Sequence, residues 1–291
     1  MAVSDQQSWF QRHHFLLRRL HSLSGVVPIG LFVITHLTTN SSIVWGIINR
    51  SKHQAEGYQG LHSGVLTFQH EVNFIHSLPF LILIEIFGLW LPIAFHSILG
   101  IYYARTGKSN VGSYAYQANW RYTLQRVSGY LGVLFIFYHV ATLRWGWTWL
   151  VPGGTKWSAD YAASTMAAAL QGSTSGLTLA GVLVSAFYML GVSLLVFHLA
   201  NGLWTAAITW GLTISRQAQR RWGYACAGIG AALMAAAWSA VIGFATLDYG
   251  AARAAEDAKL KSRGGPEGGA AQLVDSSATG GASLPPAALP R

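Results

Sequence analysis

The chain has 291 residues, of which 52% are apolar and 10% charged, against about a quarter charged in a soluble domain. Its one cysteine, Cys226, excludes an internal disulfide, a cysteine zinc site and an iron–sulfur cluster. The net charge of +9 could suit nucleic acid, but the basic residues gather at the ends of apolar segments, where membrane topology accounts for them, and no Gly-rich phosphate loop follows a strand.

A bilayer span needs about 20 predominantly apolar residues. Five segments qualify, at about 20–45, 78–103, 122–145, 177–212 and 222–247, which predicts an all-α integral membrane protein built as a five-helix bundle. Arg12, Arg18 and Arg19 precede the first segment with no small-residue cleavage site, so it is expected to stay as a span. Pro28 and Pro92 fall inside spans; membrane helices accept proline where neighbours re-satisfy the backbone.

Orientation is read from lysine and arginine. The N-terminus and the two loops on its side hold Arg12, Arg18, Arg19, Arg105, Lys108, Arg121, Arg126, Arg216, Arg220 and Arg221, whereas the opposite loops hold Arg50, Lys52, Arg144 and Lys156. Residues 1–19 are therefore expected in the cytoplasm, residues 20–247 in the membrane, and the C-terminus outside. The segment 248–291, rich in Gly, Ala, Ser and Pro, is expected to be a disordered tail. Its Arg253, Lys259, Lys261 and Arg263 count mildly against that topology.

The first four spans each carry one deep histidine: His36, His96, His139 and His198. An ionisable group inside a membrane is functional by default; the bland alternative for any one of them is a bond to a backbone carbonyl on a neighbouring helix. His36 and His139 lie about two turns from the outer ends of their spans, and His96 and His198 about 30 Å in, at helical rise. That pairs His36 with His139 and His96 with His198, each pair able to clamp a haem b edge-on through both axial positions, as in an electron carrier. Gly25, Gly88, Gly132 and Gly191 fall on the ligand faces, where glycine admits either a macrocycle or a neighbouring helix.

The first two spans also look like a copy of the next two. Ser24-Gly25 precedes His36 as Ser128-Gly129 precedes His139, and Phe95-His96 with Gly100 matches Phe197-His198 with Gly202. The remaining histidines, His13, His14, His21, His53, His62, His70 and His76, are expected to be mostly solvated or bonded to headgroups or propionates. Glu85 is the one acid well inside a span. It shares a face with His96 and is a candidate proton carrier; the alternative is a neutral acid bonded to a neighbouring helix.

The run Arg18-Arg19-Leu20-His21-Ser22-Leu23-Ser24-Gly25, followed by His36-Leu37-Thr38, resembles the opening of the di-haem cytochrome b membrane anchors of succinate:quinone oxidoreductases and quinol:fumarate reductases. The resemblance covers about residues 10–247. It implies two haems b, quinone as substrate, a partner flavoprotein carrying FAD and a partner iron–sulfur subunit. It also implies that His96 and His198 ligate the haem nearer the iron–sulfur subunit, and His36 and His139 the distal one. Some quinol:fumarate members carry a glutamate two residues before the fourth ligand; Val196 stands there, which favours succinate oxidation. Ser24, Arg19 and Trp120 are inner-side candidates for a quinone site. A cytochrome b of another membrane oxidoreductase and a haem-free proton-coupled transporter remain open alternatives, as does a purely structural anchor.

Overall fold

The computed structural model describes residues 9–107 and 117–264; the loop cation Lys108 and the tail beyond 264 lie outside them. Five long apolar helices run His14–Ala55, Leu81–Thr106, Asn119–Leu143, Leu179–Thr209 and Arg216–Ala245. Their length and apolar composition are what crossing a hydrocarbon layer requires, because every backbone group inside it must be bonded within the helix. The fourth span packs between the third and the fifth, and the fifth returns against the first. The second lies at the edge of the bundle, with Leu99 its one fully buried side chain among the described residues.

The first two spans are not regular helices. A π turn occupies Gly25–Ile29 in the first and another occupies Ile86–Trp90 in the second. Pro28 lies inside the first turn, and Pro92 follows the second by two residues. A proline ring removes an N–H and crowds the carbonyl four residues back; widening the helix by one residue relieves both. The π turn also explains an irregularity in the repeat. His36 lies twelve residues after Ser24 but His139 only eleven after Ser128, and the extra residue is absorbed in the turn.

On the face opposite the N-terminus, three further helices cap the bundle: α1 Ser63–His76, α2 Ala162–Gln171 and α3 Tyr249–Arg263. Val65, Leu66, Ala162, Ala163, Ala167, Ala252 and Ala255 are fully buried there, and they join Phe244 and Leu247 at the end of the fifth span in one core. Small side chains let the three helices approach closely.

Helix α3 departs from the expected disordered tail beginning at 248. Its alanines are the best helix formers, and Asp248 caps its start by accepting the Ala251 N–H at 2.6 Å. Glu256, 1% exposed, accepts the Ala163 and Ser164 N–H groups at 2.7 and 3.0 Å and so caps α2. Burial pushes its carboxyl above the usual range. Three of the four basic residues of α3 have partners in the cap: Arg253 lies over the Tyr161 ring, Lys259 over Tyr58, and Arg263 donates to Asn73. Two histidines expected to be solvated are also structural. His53 is buried and bonded to Thr67, and the His62 ring caps α1 by accepting the Val65 N–H.

Candidate functional site

The four span histidines meet in two pairs. The rings of His96 and His198 stand 6.1 Å apart between centroids at 82°, near the face that carries the N-terminus. Those of His36 and His139 stand 5.8 Å apart at 90°, toward the capped face. All four are partly buried. Metal–imidazole bonds of about 2.0 Å on either side of one ion, with about 1 Å from each nitrogen to its ring centre, place two axial rings about 6 Å apart. Both pairs therefore have the separation that bis-imidazole ligation of one iron requires.

At the near pair the backing of each imidazole fits that role. His96 Nδ1 lies 2.9 Å from the His21 carbonyl oxygen, and His198 Nδ1 lies 3.0 Å from that of Gln125. An Nδ1–H donating to a carbonyl leaves Nε2 with a free lone pair, and this is how ligating histidines are usually oriented. A serine stands beside each bond. Ser24 Oγ donates to the His21 carbonyl and Ser128 Oγ to that of Gln125; they lie 3.4 and 3.2 Å from the two Nδ1 atoms. The following glycines face the same rings. A methyl group at Gly25 would sit 2.5 Å from His96 Cε1, and one at Gly129 would sit 3.1 Å from His198 Cε1. The Ser-Gly pair of one span thus serves the histidine of the next span, twice over, and the internal repeat is visible in these contacts.

A cavity of about 340 Å³ opens against His96 and His198, with Arg18 and Arg126 among its lining side chains. Arg126 donates to the Tyr103 carbonyl and lies over the Tyr122 ring at 4.0 Å; Arg18 lies over Tyr103 at 5.4 Å. The His21 ring stacks on His96 at 4.0 Å. Two cations beside a room walled by helices suit a group with an apolar body and carboxylate arms, so the residues present fit haem b. At the far pair the surroundings are aromatic: His36 stacks on Phe32, while His139 lies against Phe135 and Tyr188. His139 Nδ1 is buried with no hydrogen-bond partner.

Of the other glycines singled out, Gly132 faces Leu195 and Gly191 faces the Phe135 ring, so these two pack the third span against the fourth; Gly88 faces nearly open space. Glu85 is ion-paired: Arg144 Nη2 lies 2.8 Å from its Oε2. Arg144, one residue beyond the third span, carried no sign of this pairing except a depth like that of Glu85. Ser24 backs His96, whereas Arg19 turns away over Phe15 at 4.2 Å, and Trp120 is half exposed. Sequence reasoning missed Gln125, Asn201 and the carbonyl role of His21; the alignment of His21 with Gln125 across the repeat was the available signal.

The chain is 35% identical over 206 residues to the succinate dehydrogenase cytochrome b558 subunit of Bacillus subtilis, an alignment covering 71% of this chain and 85% of that protein. No family model matches the chain, and no solved structure does.

Proposed function

Because the chain belongs to the family of succinate dehydrogenase cytochrome b subunits, we propose that it passes electrons between an iron–sulfur subunit and quinone through two haems b. It is the membrane cytochrome b subunit of a succinate dehydrogenase. In this reading His96 and His198 hold the haem nearer the iron–sulfur subunit, and His36 and His139 hold the distal one. The observation that carries it is the meeting of four histidines in two pairs, each with rings about 6 Å apart.

Held by these two histidine pairs, haem b would supply a one-electron couple. The chain's own residues do the rest. The carbonyls of His21 and Gln125 fix the tautomer and the ring plane of the near ligands. Arg18 and Arg126 offer charge to propionates at the near cavity. The aromatic rings around His36 and His139 keep water from the far pair. Glu85 and Arg144 form an ion pair at the far end of the second and third spans, with Trp90 stacked on Trp145. There Arg144 can donate to a quinone carbonyl, and the Glu85 carboxylate, released from Arg144, can accept a proton and pass it on. The dicarboxylate chemistry belongs to a partner flavoprotein carrying FAD. Val196, in place of a glutamate, favours the direction of succinate oxidation.

The N-terminus and the loop around Arg220 face the cytoplasm of a bacterial inner membrane, and the three-helix cap faces outside. The basic excess on the N-terminal side supports this. Pyridine haemochrome assay of the purified chain is expected to give two haems b per polypeptide; one or none would overturn the reading. An impermeant thiol reagent added to intact cells of a Cys226→Ser background is expected to label Lys156→Cys and spare Arg220→Cys. The reverse pattern would invert the topology.

A further inference from the structure

The near ligand of the fourth span is gripped by a polar chain that its repeat partner lacks. Gln125 holds His198 at two points: its main-chain carbonyl accepts from the ring, and its side-chain Nε2 donates to the His198 carbonyl at 3.1 Å. The Gln125 side chain is itself held. Asn201, 4% exposed, donates to Gln125 Oε1 at 2.8 Å and accepts from Arg121 Nε at 2.9 Å. The Arg121 guanidinium lies 3.9 Å over the Trp204 ring, and Trp204 donates to the Gln219 carbonyl at 2.9 Å. The chain of contacts therefore runs from His198 to the first turn of the fifth span, at the N-terminal face of the bundle.

The first half of the repeat shows what this adds. His96 has the same carbonyl, serine and glycine around it. Yet His21 stands where Gln125 stands, Leu17 where Arg121 stands and Leu99 where Asn201 stands. An imidazole in this fold is retained without the network, so what the network can add is a firmer ring orientation and a nearby fixed charge. The partly buried Arg121 guanidinium is held by Asn201 and Trp204, and a charge screened less than in open water acts more strongly on its surroundings.

We propose that Arg121, Asn201 and Gln125 form a positioning network that fixes the plane of the His198 imidazole and sets the reduction potential of the near haem from the N-terminal face. The proposal rests on His96 and His198 being an axial pair. Second-shell hydrogen bonds tune the basicity of a ligating histidine, and axial-ligand environment is a lever on haem potential. A fixed cation close to the site favours the reduced form, whose charge is lower by one.

The test is redox titration of membranes with optical and low-spin ferric EPR readout, on the assembled complex. Asn201→Leu and Arg121→Leu reproduce the residues of the first half. Both variants are expected to keep two haems, to shift the near component alone and to change its EPR line shape. Arg121→Leu is expected to lower that component by about tenfold in its reduction equilibrium, about 59 mV for a one-electron couple. Arg121→Lys, which keeps the charge, is expected to recover most of the potential while the line shape stays altered. If Asn201→Leu fails to assemble, Asn201→Asp keeps the acceptor for Arg121 and removes the donor to Gln125; the shift is again expected in the near component. Unmoved potential and line shape in the variants that assemble, or equal movement of both components, would overturn the proposal. Replacing His198 separates the two levels. If that change removes one haem while the network variants move nothing, this inference alone fails; if it removes none, the axial pairing fails with it.

Discussion

The near and far histidine pairs have the same ring separation in different surroundings. Each near imidazole donates to a carbonyl, stands beside a serine and faces a glycine, and a cavity flanked by two arginines opens against it. The far imidazoles lie among Phe32, Phe135 and Tyr188, and His139 Nδ1 has no partner. Beyond the near pair lies a basic surface, and beyond the far pair a packed three-helix cap. One repeated unit has thus produced a polar site and an apolar one. The difference lies in what backs the imidazoles, because all four residues are histidines. Two centres so surrounded should respond separately to mutation.

The largest expected effect tests the pairing itself. His198→Ala and His96→Ala should each remove the same haem component and leave the other, halving the haem per polypeptide, and His139→Ala and His36→Ala should remove the second. Difference spectra with redox titration read this. Loss of one component by both His139→Ala and His96→Ala, with His36→Ala sparing it, would break the comparison.

Glycine substitutions come next. Gly25→Ala brings a methyl carbon to 2.5 Å from His96 Cε1, closer than carbon atoms approach, while Gly129→Ala brings one to 3.1 Å from His198 Cε1, which a small ring shift relieves. The first change should lower near-haem content severalfold and the second by less than half, with the far component unaffected by either. Equal losses would show that the first span yields where the geometry says it cannot.

Much of this was legible beforehand. Apolar length fixed the spans, and one histidine per span at matched depths gave both pairs, because a 1.5 Å rise turns residue counts into heights. The carbonyl partners were not legible, since a main-chain acceptor leaves no mark on residue type; His21 and Gln125 act there through atoms that every residue has. Helix α3 was hidden for another reason. Its buried face is Ala252, Ala255 and Glu256, small or charged residues that a hydropathy reading scores as tail. The Glu85–Arg144 pair was half visible, the acid inside a span and its cation just beyond one.

The smallest expected effect sits in the cap over the far pair. His62 Nδ1 must be unprotonated to accept the Val65 N–H, and burial holds its pKa below the usual imidazole value. A His pKa lowered on folding stabilises the folded form above about pH 6.5, and this contribution is lost as pH falls. Glu256, with its pKa raised by burial, works the other way: its contribution is full at low pH and lost as pH rises. Hydrogen-exchange protection at Val65 should therefore fall modestly between pH 7 and pH 5 and stay flatter in His62→Asn, which keeps an acceptor without titrating. Protection at Ala163 and Ser164, bonded to Glu256, should not fall over the same range. Parallel loss at both places would mean that the cap opens as one body.

The π turn at Gly25–Ile29 bears on how the two halves of the chain are to be matched. Laid side by side without gaps from Ser24 and Ser128, they set His36 opposite Val140 and His96 opposite Ala200, and both histidine pairs vanish from the comparison. One gap within the widened turn restores His36 to His139, and a second, which the π turn at Ile86–Trp90 can take, restores His96 to His198. Searches for doubled membrane cytochromes that forbid one-residue gaps inside helices will overlook chains built like this one.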